Sequence, residues 1–271
     1  MSDALPGLSV IVITRNEEGN ITDCLRSVSW AGEIVVVDAE SADRTAELAR
    51  QFTPKVFVAA WTGFAAAKEL ALRHATNEWV LWLDADERVT PALEMEIREI
   101  LGPGGSSRAG YEVARRAYFL GKWMRHCGWY PGYVLRLFRK SEGEFTHSRV
   151  HERVALRGPV GRLRNDLLHH TDETLYHYFS KFNSYTSLAA QDAHDAGKRS
   201  SYYDLLVRPA YVFFKMYFLR RGLLDGMHGF VLSLLSASYV FVKYAKLKEL
   251  APRASARPVP TQIVPTQEET P

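Results

Sequence analysis

Short apolar runs of strand length alternate with helix-like segments through the first hundred residues. The runs are Leu8–Thr14, Glu33–Asp38, Lys55–Ala59 and Glu78–Asp84, and apolar residues recur at helical spacing between them. Nearly continuous apolar runs are typical of parallel strands that are covered on both faces. The pattern predicts a doubly wound α/β sheet, whose ligands are expected at the carboxyl ends of the strands.

The alternation ends at a glycine-rich loop. Thr90 and Pro91 predict a helix start before Ala92–Leu101, and the loop Gly102–Ser107 predicts a boundary. Strand-like segments follow, and the pattern becomes helical from about Asp172. We therefore predict four regions: a nucleotide-binding half (1–105), a small mixed-sheet half (106–171), a helical region (172–250) and a disordered tail (251–271) rich in Pro, Thr and Gln. The strands of the mixed-sheet half are predicted at 111–119, 133–139 and 149–156. The helices of the helical region are predicted at 172–196, 203–221 and 224–250.

Charge is distributed unevenly along a chain of ordinary globular composition. The 271 residues carry a net charge of +3, yet residues 1–105 carry −8, residues 106–197 carry +5 and residues 198–250 carry +6. A basic part of this kind suggests an anionic partner, although a solvated surface is the alternative interpretation. Two cysteines, Cys24 and Cys127, fit a reducing compartment, and no basic segment precedes the first apolar run as in a signal peptide.

The basic helical region combines aromatic and apolar residues with few acids. Gly226–Val242 contains 17 residues without Asp, Glu, Lys or Arg, and Lys243, Lys246 and Lys248 follow it. We predict that this region lies in the interface of an anionic membrane leaflet. A buried helix pair that covers the α/β core is the main alternative, and a true membrane span is a third interpretation.

Three acidic clusters follow predicted strands. They are Thr14–Glu18 after the first strand, Asp38–Asp43 after the second, and Asp84-Ala85-Asp86 after the fourth. Two carboxylates close together repel each other, and a divalent cation that also binds substrate phosphates removes that cost. The D-x-D pair therefore predicts a Mg²⁺ or Mn²⁺ site, with capping of the next turn as the alternative.

Other phosphate-binding motifs do not fit. The first strand is not followed by G-x-G-x-x-G, and the chain contains no G-x-x-x-x-G-K-[ST], so the glycines of dinucleotide and P-loop sites are missing. A phosphatase of the haloacid dehalogenase type expects Thr or Val at the position held by Arg88.

Several segments in order resemble those of family 2 glycosyltransferases, which have the GT-A fold: VIVITRNEEGNI, VVVDAESADRT, FAAAKELAL and WVLWLDADE. Later segments, GWYPGYVLRLFRK, RVHERV and LLDGMHGF, resemble one branch, the lipopolysaccharide inner-core β-1,4-glucosyltransferases. The resemblance extends from Leu8 to about Leu250. It implies a GT-A domain with a small mixed-sheet acceptor region and a C-terminal helical extension that associates with the membrane.

The resemblance also implies roles for individual residues of the donor site. Thr14, Asn16 and Glu17 would line the nucleoside pocket, Asp38 would bind uracil or ribose, Lys68 would approach the base or diphosphate, Asp84 would contact ribose and metal-bound water, and Asp86 would ligate the metal. A helix N-cap is the alternative interpretation of Thr14–Glu17, and a solvated helix face is the alternative for Lys68.

Family 2 enzymes typically invert the sugar's anomeric configuration, so a base must accept a proton from the acceptor hydroxyl. We predict that Glu152 is this base, with Asp166 and Asp172 in reserve; pairing of Glu152 with a neighbouring arginine is the alternative. His151 alternates with Glu152 along a regular strand, so it becomes a metal or diphosphate ligand only if the strand bends.

Aromatic and basic residues after the first small-sheet strand predict the acceptor side. Trp129 and Tyr130 can stack on sugar rings, and Arg136 suits an acceptor phosphate or carboxylate, with core packing as the alternative for Trp129. The pair His169-His170 lies near a predicted turn without an acidic or Cys partner at metal spacing, so we interpret it as structural.

Taken together, these residues predict a metal-dependent inverting hexosyltransferase that uses a UDP-sugar, with glucose as the expected hexose. The predicted acceptor is a membrane glycolipid such as the lipopolysaccharide inner core, met at the cytoplasmic face of the membrane, and no nucleic acid partner is expected. Two alternatives stay open: transfer to polyprenyl phosphate or a capsule precursor, and a non-catalytic protein that binds a nucleotide-sugar.

Overall fold

Strands dominate the first two thirds of this computed structural model, which describes residues 4–145 and 154–250, and helices dominate the last third. Within those residues the strands are β1 (Leu5–Thr14), β2 (Ala31–Asp38), β3 (Val56–Val58), β4 (Trp79–Asp84), β5 (Glu87–Val89), β6 (Gly110–Phe119), β7 (Lys122–Trp123), β8 (Gly132–Arg139), β9 (Gly143–Phe145), β10 (Val154–Leu156), β11 (Val160–Arg162) and β12 (Leu167–Asp172). The helices are α1 (Ile21–Arg26), α2 (Thr45–Ala49), α3 (Phe64–His74), α4 (Pro91–Leu101), α5 (Leu175–Asp195), α6 (Tyr202–Phe214) and α7 (Met227–Leu250).

The four predicted N-terminal strands form a parallel sheet in the order β3-β2-β1-β4. Both faces of this sheet are covered. Val10 and Val12 pack with Leu25 of α1 on one face, and Ile11 packs with Ala71 of α3 on the other. Successive strand residues point to opposite faces, so a strand that is covered twice must be apolar throughout. The predicted α/β sheet is therefore confirmed.

The sheet does not stop at the loop 102–107. It continues from β4 through antiparallel β8 and then β6, β12 and β5, so regions 1–105 and 106–171 contribute to one sheet. The short strand β5 and the polar strand β12 were not predicted. Neither contains a long apolar run. Strand β12 is held by its pairing with β6, and β5 is held by its pairing with β12.

The three predicted C-terminal helices are present, with shifted ends. Helix α6 ends at Phe214 and continues as a π-helical turn, Lys215–Leu219, before a short 3₁₀ turn at Gly222–Asp225 leads into α7. Helices α6 and α7 form a hairpin, and α5 packs against α7. Gly229 permits the tightest approach, because a Cβ there would lie 1.9 Å from the carbonyl oxygen of Gly222.

A buried aspartate ties this hairpin to the sheet. Asp225 accepts hydrogen bonds from the backbone N–H of His126 at 2.8 Å and pairs with the His126 ring at 2.9 Å. Its own carbonyl oxygen accepts a hydrogen bond from Lys122 Nζ at 2.6 Å. The segment LLDGMHGF therefore joins the helical region to the end of the sheet.

Exposed apolar side chains are concentrated on this helical region. Members with large exposed fractions are Tyr176, Tyr202, Leu206, Leu219, Leu224 and Met227. Helix α7 is, among the described residues, long and apolar enough to cross a membrane by length and composition. One of its faces is nevertheless buried against the protein through Gly229, Leu232, Ser233, Ala237 and Leu247.

Candidate functional site

The carboxyl ends of β1, β2 and β4 meet at one edge of the sheet. The strand register pairs Thr14 with Asp38 and Ile13 with Asp84. This edge opens into a cleft of about 1820 Å³, which Thr14, Asn16, Glu17, Lys68, Asp84 and Asp86 line together. Six of the predicted donor-site and metal residues are therefore brought into one cavity.

Hydrogen bonds join the loops after β1 and β2. The Asn16 N–H donates to Ser41 Oγ at 2.8 Å, and the Ala42 N–H donates to Asn16 Oδ1 at 2.8 Å. Asp38 accepts from the Ser41 N–H at 2.9 Å and is buried beneath this loop pair, outside the described lining of the cleft. Asp38 thus orders Ser41, whose hydroxyl in turn accepts from the Asn16 N–H, and the predicted contact of Asp38 with uracil or ribose stays a prediction.

The residues after β1 do not cap a helix. Helix α1 begins at Ile21 with Asn20 as its N-cap, and no side-chain cap is made there. Glu17 instead accepts a hydrogen bond from Asn20 Nδ2 at 2.9 Å and lines the cleft. Burial, opposed by that hydrogen bond and reinforced by nearby Asp86, raises the pKa of Glu17. Thr14 Oγ1 is buried without a hydrogen-bond partner in the described part of the chain.

A buried arginine supports the first carboxylate of the D-x-D pair. Arg136 Nη2 lies 2.6 Å from Asp84 Oδ2 and 2.6 Å from Glu87 Oε1, and its guanidinium stacks 3.4 Å from the ring centroid of Trp82. Burial alone would raise the pKa of Asp84, but the Arg136 charge, with Lys68 and His169, outweighs it and holds the pKa well below its usual range. Asp84 is therefore ionised and oriented before any ligand arrives.

Arg136, which we predicted on the acceptor side, lines the cleft as a buried residue. It is 1% exposed and is paired with Asp84 and Glu87, and its contact with an acceptor phosphate or carboxylate stays a prediction. The sequence pattern could not show this, because the partners of Arg136 lie about fifty residues earlier in the chain.

The second carboxylate, Asp86, lies beside a histidine and a lysine. His169 Nε2 lies 3.4 Å from Asp86 Oδ2, and Lys181 Nζ lies 3.8 Å from the same oxygen. Burial would raise the pKa of Asp86, but the hydrogen bond and charge of His169 outweigh it, so the pKa is lowered.

His169 and His170 lie within β12, not near a turn, and the acidic partner that the sequence did not show is Asp86. Antiparallel pairing with β5 carries β12 past the D-x-D segment, and the His170 N–H donates to the Asp86 carbonyl at 2.9 Å. The predicted absence of an acidic partner was therefore wrong. Only the pairing of two strands some eighty residues apart could have revealed it.

The ammonium group of Lys68 also faces this site. Lys68 is 3% exposed, and its Nζ lies 3.9 Å from the ring centroid of Trp82. The alternative of a solvated helix face is therefore wrong. Its charge contributes to the lowered pKa of Asp84, as expected of a group that would also attract a diphosphate.

The donor set fits a divalent cation that is shared with substrate phosphates. Asp86 and His169 supply a carboxylate oxygen and an imidazole, His169 Nδ1 is buried without a hydrogen-bond partner in the described chain, and Asp84 lies two residues away. No group of three or more His, Cys, Asp or Glu that could hold a metal by itself is found in residues 4–145 and 154–250. Mg²⁺ sites commonly consist of one or two carboxylates completed by substrate phosphates and water.

The predicted acceptor aromatics lie elsewhere. Trp129 packs edge-on against Phe119 at 6.1 Å, and the Tyr130 hydroxyl lies 3.3 Å from the carboxylate of Asp166. Neither is among the described residues that line the cleft. Core packing, the alternative that we gave for Trp129, is what its surroundings show. Asp166 is also held by Arg116 Nε at 2.7 Å.

Asp172, the other reserve base, does line the cleft. It is buried, and its Oδ1 lies 4.0 Å from Lys181 Nζ. The predicted base Glu152 and the predicted ligand His151 lie outside the described residues, and their roles stay predictions.

Several cleft residues were not predicted from the sequence. They come from β6, β8, β11 and α5, and their separation along the chain leaves no local motif: Arg115, Tyr133, Arg162, His177, Lys181 and Tyr185. Burial, together with nearby Lys181, lowers the pKa of His177. Helix α5 thus forms one wall of the cleft.

The model of the family described as glycosyl transferase family 2 matches residues 9–153, which include the D-x-D segment and the cleft floor. The chain belongs to this family. Its fold is accordingly the GT-A fold, with a parallel half of the sheet that continues into an antiparallel half. The chain is a glycosyltransferase family 2 enzyme.

Relatives match over nearly the whole chain. The lipopolysaccharide core biosynthesis glycosyltransferase LpsC of Rhizobium meliloti is 34% identical, with 89% of this chain and 91% of LpsC covered. The uncharacterized glycosyltransferase RT0209 of Rickettsia typhi is 30% identical, with 90% and 87% covered. Among solved structures, S. aureus TarS residues 1–349 in complex with UDP-GlcNAc matches with 13% identity and a TM-score of 0.44, covering 89% of this chain and 90% of that one.

The buried position of Arg136 generates a stability prediction. Arg136→Met leaves Asp84 and Glu87 without their shared cation, and removing one partner of a buried ion pair typically costs about 3–5 kcal/mol. The matched control is Arg162→Met, because the Arg162–Glu112 pair at 3.0 Å is solvent-exposed and should cost at most about 1 kcal/mol. Denaturant unfolding followed by tryptophan fluorescence measures both losses, and equal losses would contradict the assigned role of Arg136.

Proposed function

We propose that this chain transfers glucose, or another hexose, from a UDP-sugar to a lipid-linked saccharide such as the lipopolysaccharide inner core. The proposed transfer is inverting and takes place at the inner face of the cytoplasmic membrane. One observation carries the proposal: the preorganised Asp84-Ala85-Asp86 edge opens into a cleft that is also lined by residues of the apolar, basic helical region. The likeness to LpsC, whose name refers to lipopolysaccharide core biosynthesis, supports the choice of acceptor.

The donor would bind along the strand ends. Thr14 Oγ1, which has no partner in the described chain, and the ordered loop of Asn16 and Glu17 offer hydrogen-bonding groups to a nucleoside. The ammonium group of Lys68 lies over the Trp82 ring in the same cleft, where its charge would suit a diphosphate. An ionised Asp84 accepts hydrogen bonds from ribose hydroxyls or from metal-bound water without first losing a proton.

A cation held by Asp86 and His169 would supply Lewis-acid neutralisation of the departing diphosphate. The protein's own contribution to that step is the fixed orientation of these two side chains, since β5 and β12 hold both through strand pairing. Fixed dipoles and charges at the point where charge develops lower the barrier because they need little reorganisation.

The other half of the reaction is proton removal. In a direct displacement, the acceptor hydroxyl oxygen bonds to the anomeric carbon while the bond from that carbon to the diphosphate oxygen breaks. The hydroxyl proton becomes acidic as the new bond forms, and we assign its acceptance to Glu152. Asp172 is the reserve base within the described cleft, although its carboxylate already neighbours Lys181.

The helical region would hold the enzyme against the membrane. Phe214, Phe218 and Leu219 are exposed at the tip of the α6–α7 hairpin, and Arg220 and Arg221 follow them directly. Apolar side chains flanked by cations suit the interface of an anionic leaflet, where a lipid-linked acceptor resides.

Donor and metal binding can be tested in one thermal-shift screen. UDP-glucose, UDP-GlcNAc, UDP-galactose and GDP-mannose are each added with and without Mn²⁺, and we expect UDP-sugars with Mn²⁺ to stabilise the protein most. Asp86→Ala should lose the Mn²⁺-dependent part of the shift and abolish transfer, whereas Asp23→Ala, an exposed carboxylate on α1, should match the wild type. Wild-type transfer that persists in EDTA would contradict the metal assignment.

The base assignment predicts a separation of binding from turnover. Glu152→Gln should bind UDP-sugar with wild-type affinity, yet its kcat should fall by about 10²–10⁴-fold because the proton acceptor is lost. Asp172→Asn is the matched comparison and should retain most of its kcat. Radiolabelled transfer to a purified glycolipid acceptor measures both, and the reverse order of effects would move the base to Asp172.

Membrane attachment predicts a loss of vesicle binding when the hairpin tip is made polar. The triple variant Phe218→Ser, Leu219→Ser, Leu224→Ser should co-sediment with phosphatidylglycerol-containing vesicles at least about tenfold more weakly, since each buried apolar side chain contributes about 1.5–3 kcal/mol. Met95→Ser, at an exposed apolar position on α4, is the control and should bind as the wild type does. Unchanged binding of the triple variant would exclude this face as the anchor.

A further inference from the structure

Lys181 of helix α5 places its ammonium group beside two buried carboxylates of the cleft, those of Asp86 and Asp172. Its Nζ donates to the Thr171 carbonyl at 3.1 Å and lies 3.8 Å from Asp86 Oδ2 and 4.0 Å from Asp172 Oδ1. The side chain is 30% exposed and lines the cleft. One hydrogen bond and two longer ion pairs hold the ammonium group, so it has room to move.

The acidic groups around Lys181 explain why a cation rests there in the free protein. Asp86 and Asp172 are both buried, and Glu17 lines the same part of the cleft. Like charges in a buried site raise one another's free energy, and a nearby ammonium group offsets that cost. The charge of Lys181 acts on each neighbour: it opposes the rise that burial causes in the pKa of Glu17, and it contributes to the lowered pKa of Asp86 and of His177.

The backbone that carries Lys181 is well anchored, so its movement is confined to the side chain. Lys246 of α7 donates to Asn183 O at 2.9 Å and to Thr186 Oγ1 at 2.8 Å, and the Tyr239 hydroxyl donates to Tyr185 O at 3.2 Å. These bonds hold α5 against α7. A lysine has a flexible four-carbon stem, and its ammonium group can exchange partners within the reach of that stem.

We propose that Lys181 exchanges its anionic partner during donor binding, from Asp86 in the free enzyme to the donor diphosphate. A divalent cation and the Lys181 ammonium compete for the same Asp86 carboxylate, so arrival of the cation repels the lysine from it. The donor brings a diphosphate into the same space. Lys181 then neutralises negative charge on the leaving group, and this charge increases as the sugar–oxygen bond breaks.

The inference rests on the proposed function, because it needs a diphosphate donor and a cation. It differs from a purely structural ion pair in one respect. A structural lysine would stabilise the site equally with or without ligand, whereas an exchanging lysine opposes binding of the cation alone and favours binding of the diphosphate.

The test measures Mn²⁺ alone, UDP alone and UDP with saturating Mn²⁺ by isothermal titration calorimetry. Lys181→Met should bind Mn²⁺ alone several-fold more tightly, because a competing charge is gone, and should bind UDP with Mn²⁺ about tenfold or more weakly, because a charge-assisted hydrogen bond is lost. Its kcat should fall further than its donor affinity. Lys181→Arg should recover much of the UDP affinity, and the exposed control Lys198→Met should match the wild type throughout.

Two outcomes would overturn the inference: Mn²⁺ affinity in Lys181→Met that is unchanged or weaker, or UDP affinity equal to that of the wild type. If Lys181→Met does not fold, Lys181→Gln keeps a donor for the Thr171 carbonyl, removes the charge and carries the same expectations. Failure of the wild type itself to bind UDP with Mn²⁺ would overturn the proposed function together with this inference. If the wild type binds UDP with Mn²⁺ and Lys181→Met has the same affinities as the wild type, this inference is overturned and the proposed function stands.

Discussion

The arrangement of the site depends on one buried ion triad. Arg136 on β8 bridges Asp84 at the end of β4 and Glu87 at the start of β5, and it lies against the ring of Trp82. A charge without solvent is tolerated only when it is paired and hydrogen-bonded, so these partners must meet for the sheet to close around them. The triad thereby joins the parallel and antiparallel halves of the sheet and holds the D-x-D edge in place.

The remaining groups reach this edge from distant parts of the chain. Strand β12 places His169 beside Asp86 through its pairing with β5, and α5 contributes Lys181 to the same carboxylate. Helix α5 is in turn held by α7, which belongs to the hairpin whose tip we assign to the membrane. The proposed donor site and the proposed membrane surface are thus connected through α5 and α7, and a membrane-bound acceptor would reach the cleft from the side of the helices.

The residue patterns predicted the strands and helix starts well, but they did not predict which side chains from distant parts of the chain meet. The runs around Val10, Val36 and Leu83 predicted buried strands, because a strand covered on both faces must be apolar at every position. Thr90 and Pro91 predicted the start of α4, and the Thr90 side chain does accept from the Leu93 N–H at 3.2 Å. The partners of Arg136 and His169 were not predicted, because a strand pattern shows how residues alternate and not which strand lies alongside.

The sequence by itself determined the α/β core, the family and the place of the carboxylates at the strand ends, since all of these follow from short-range periodicity and ordered motifs. Only the tertiary structure decided which cations face those carboxylates, and that Trp129 and Tyr130 pack away from the cleft while Arg136 lies beneath it. The physical reason is that pairing between β5 and β12, and packing of α5 on α7, depend on the free energy of the whole assembly. The residues next to a position in the chain therefore do not indicate which distant element will pack against it.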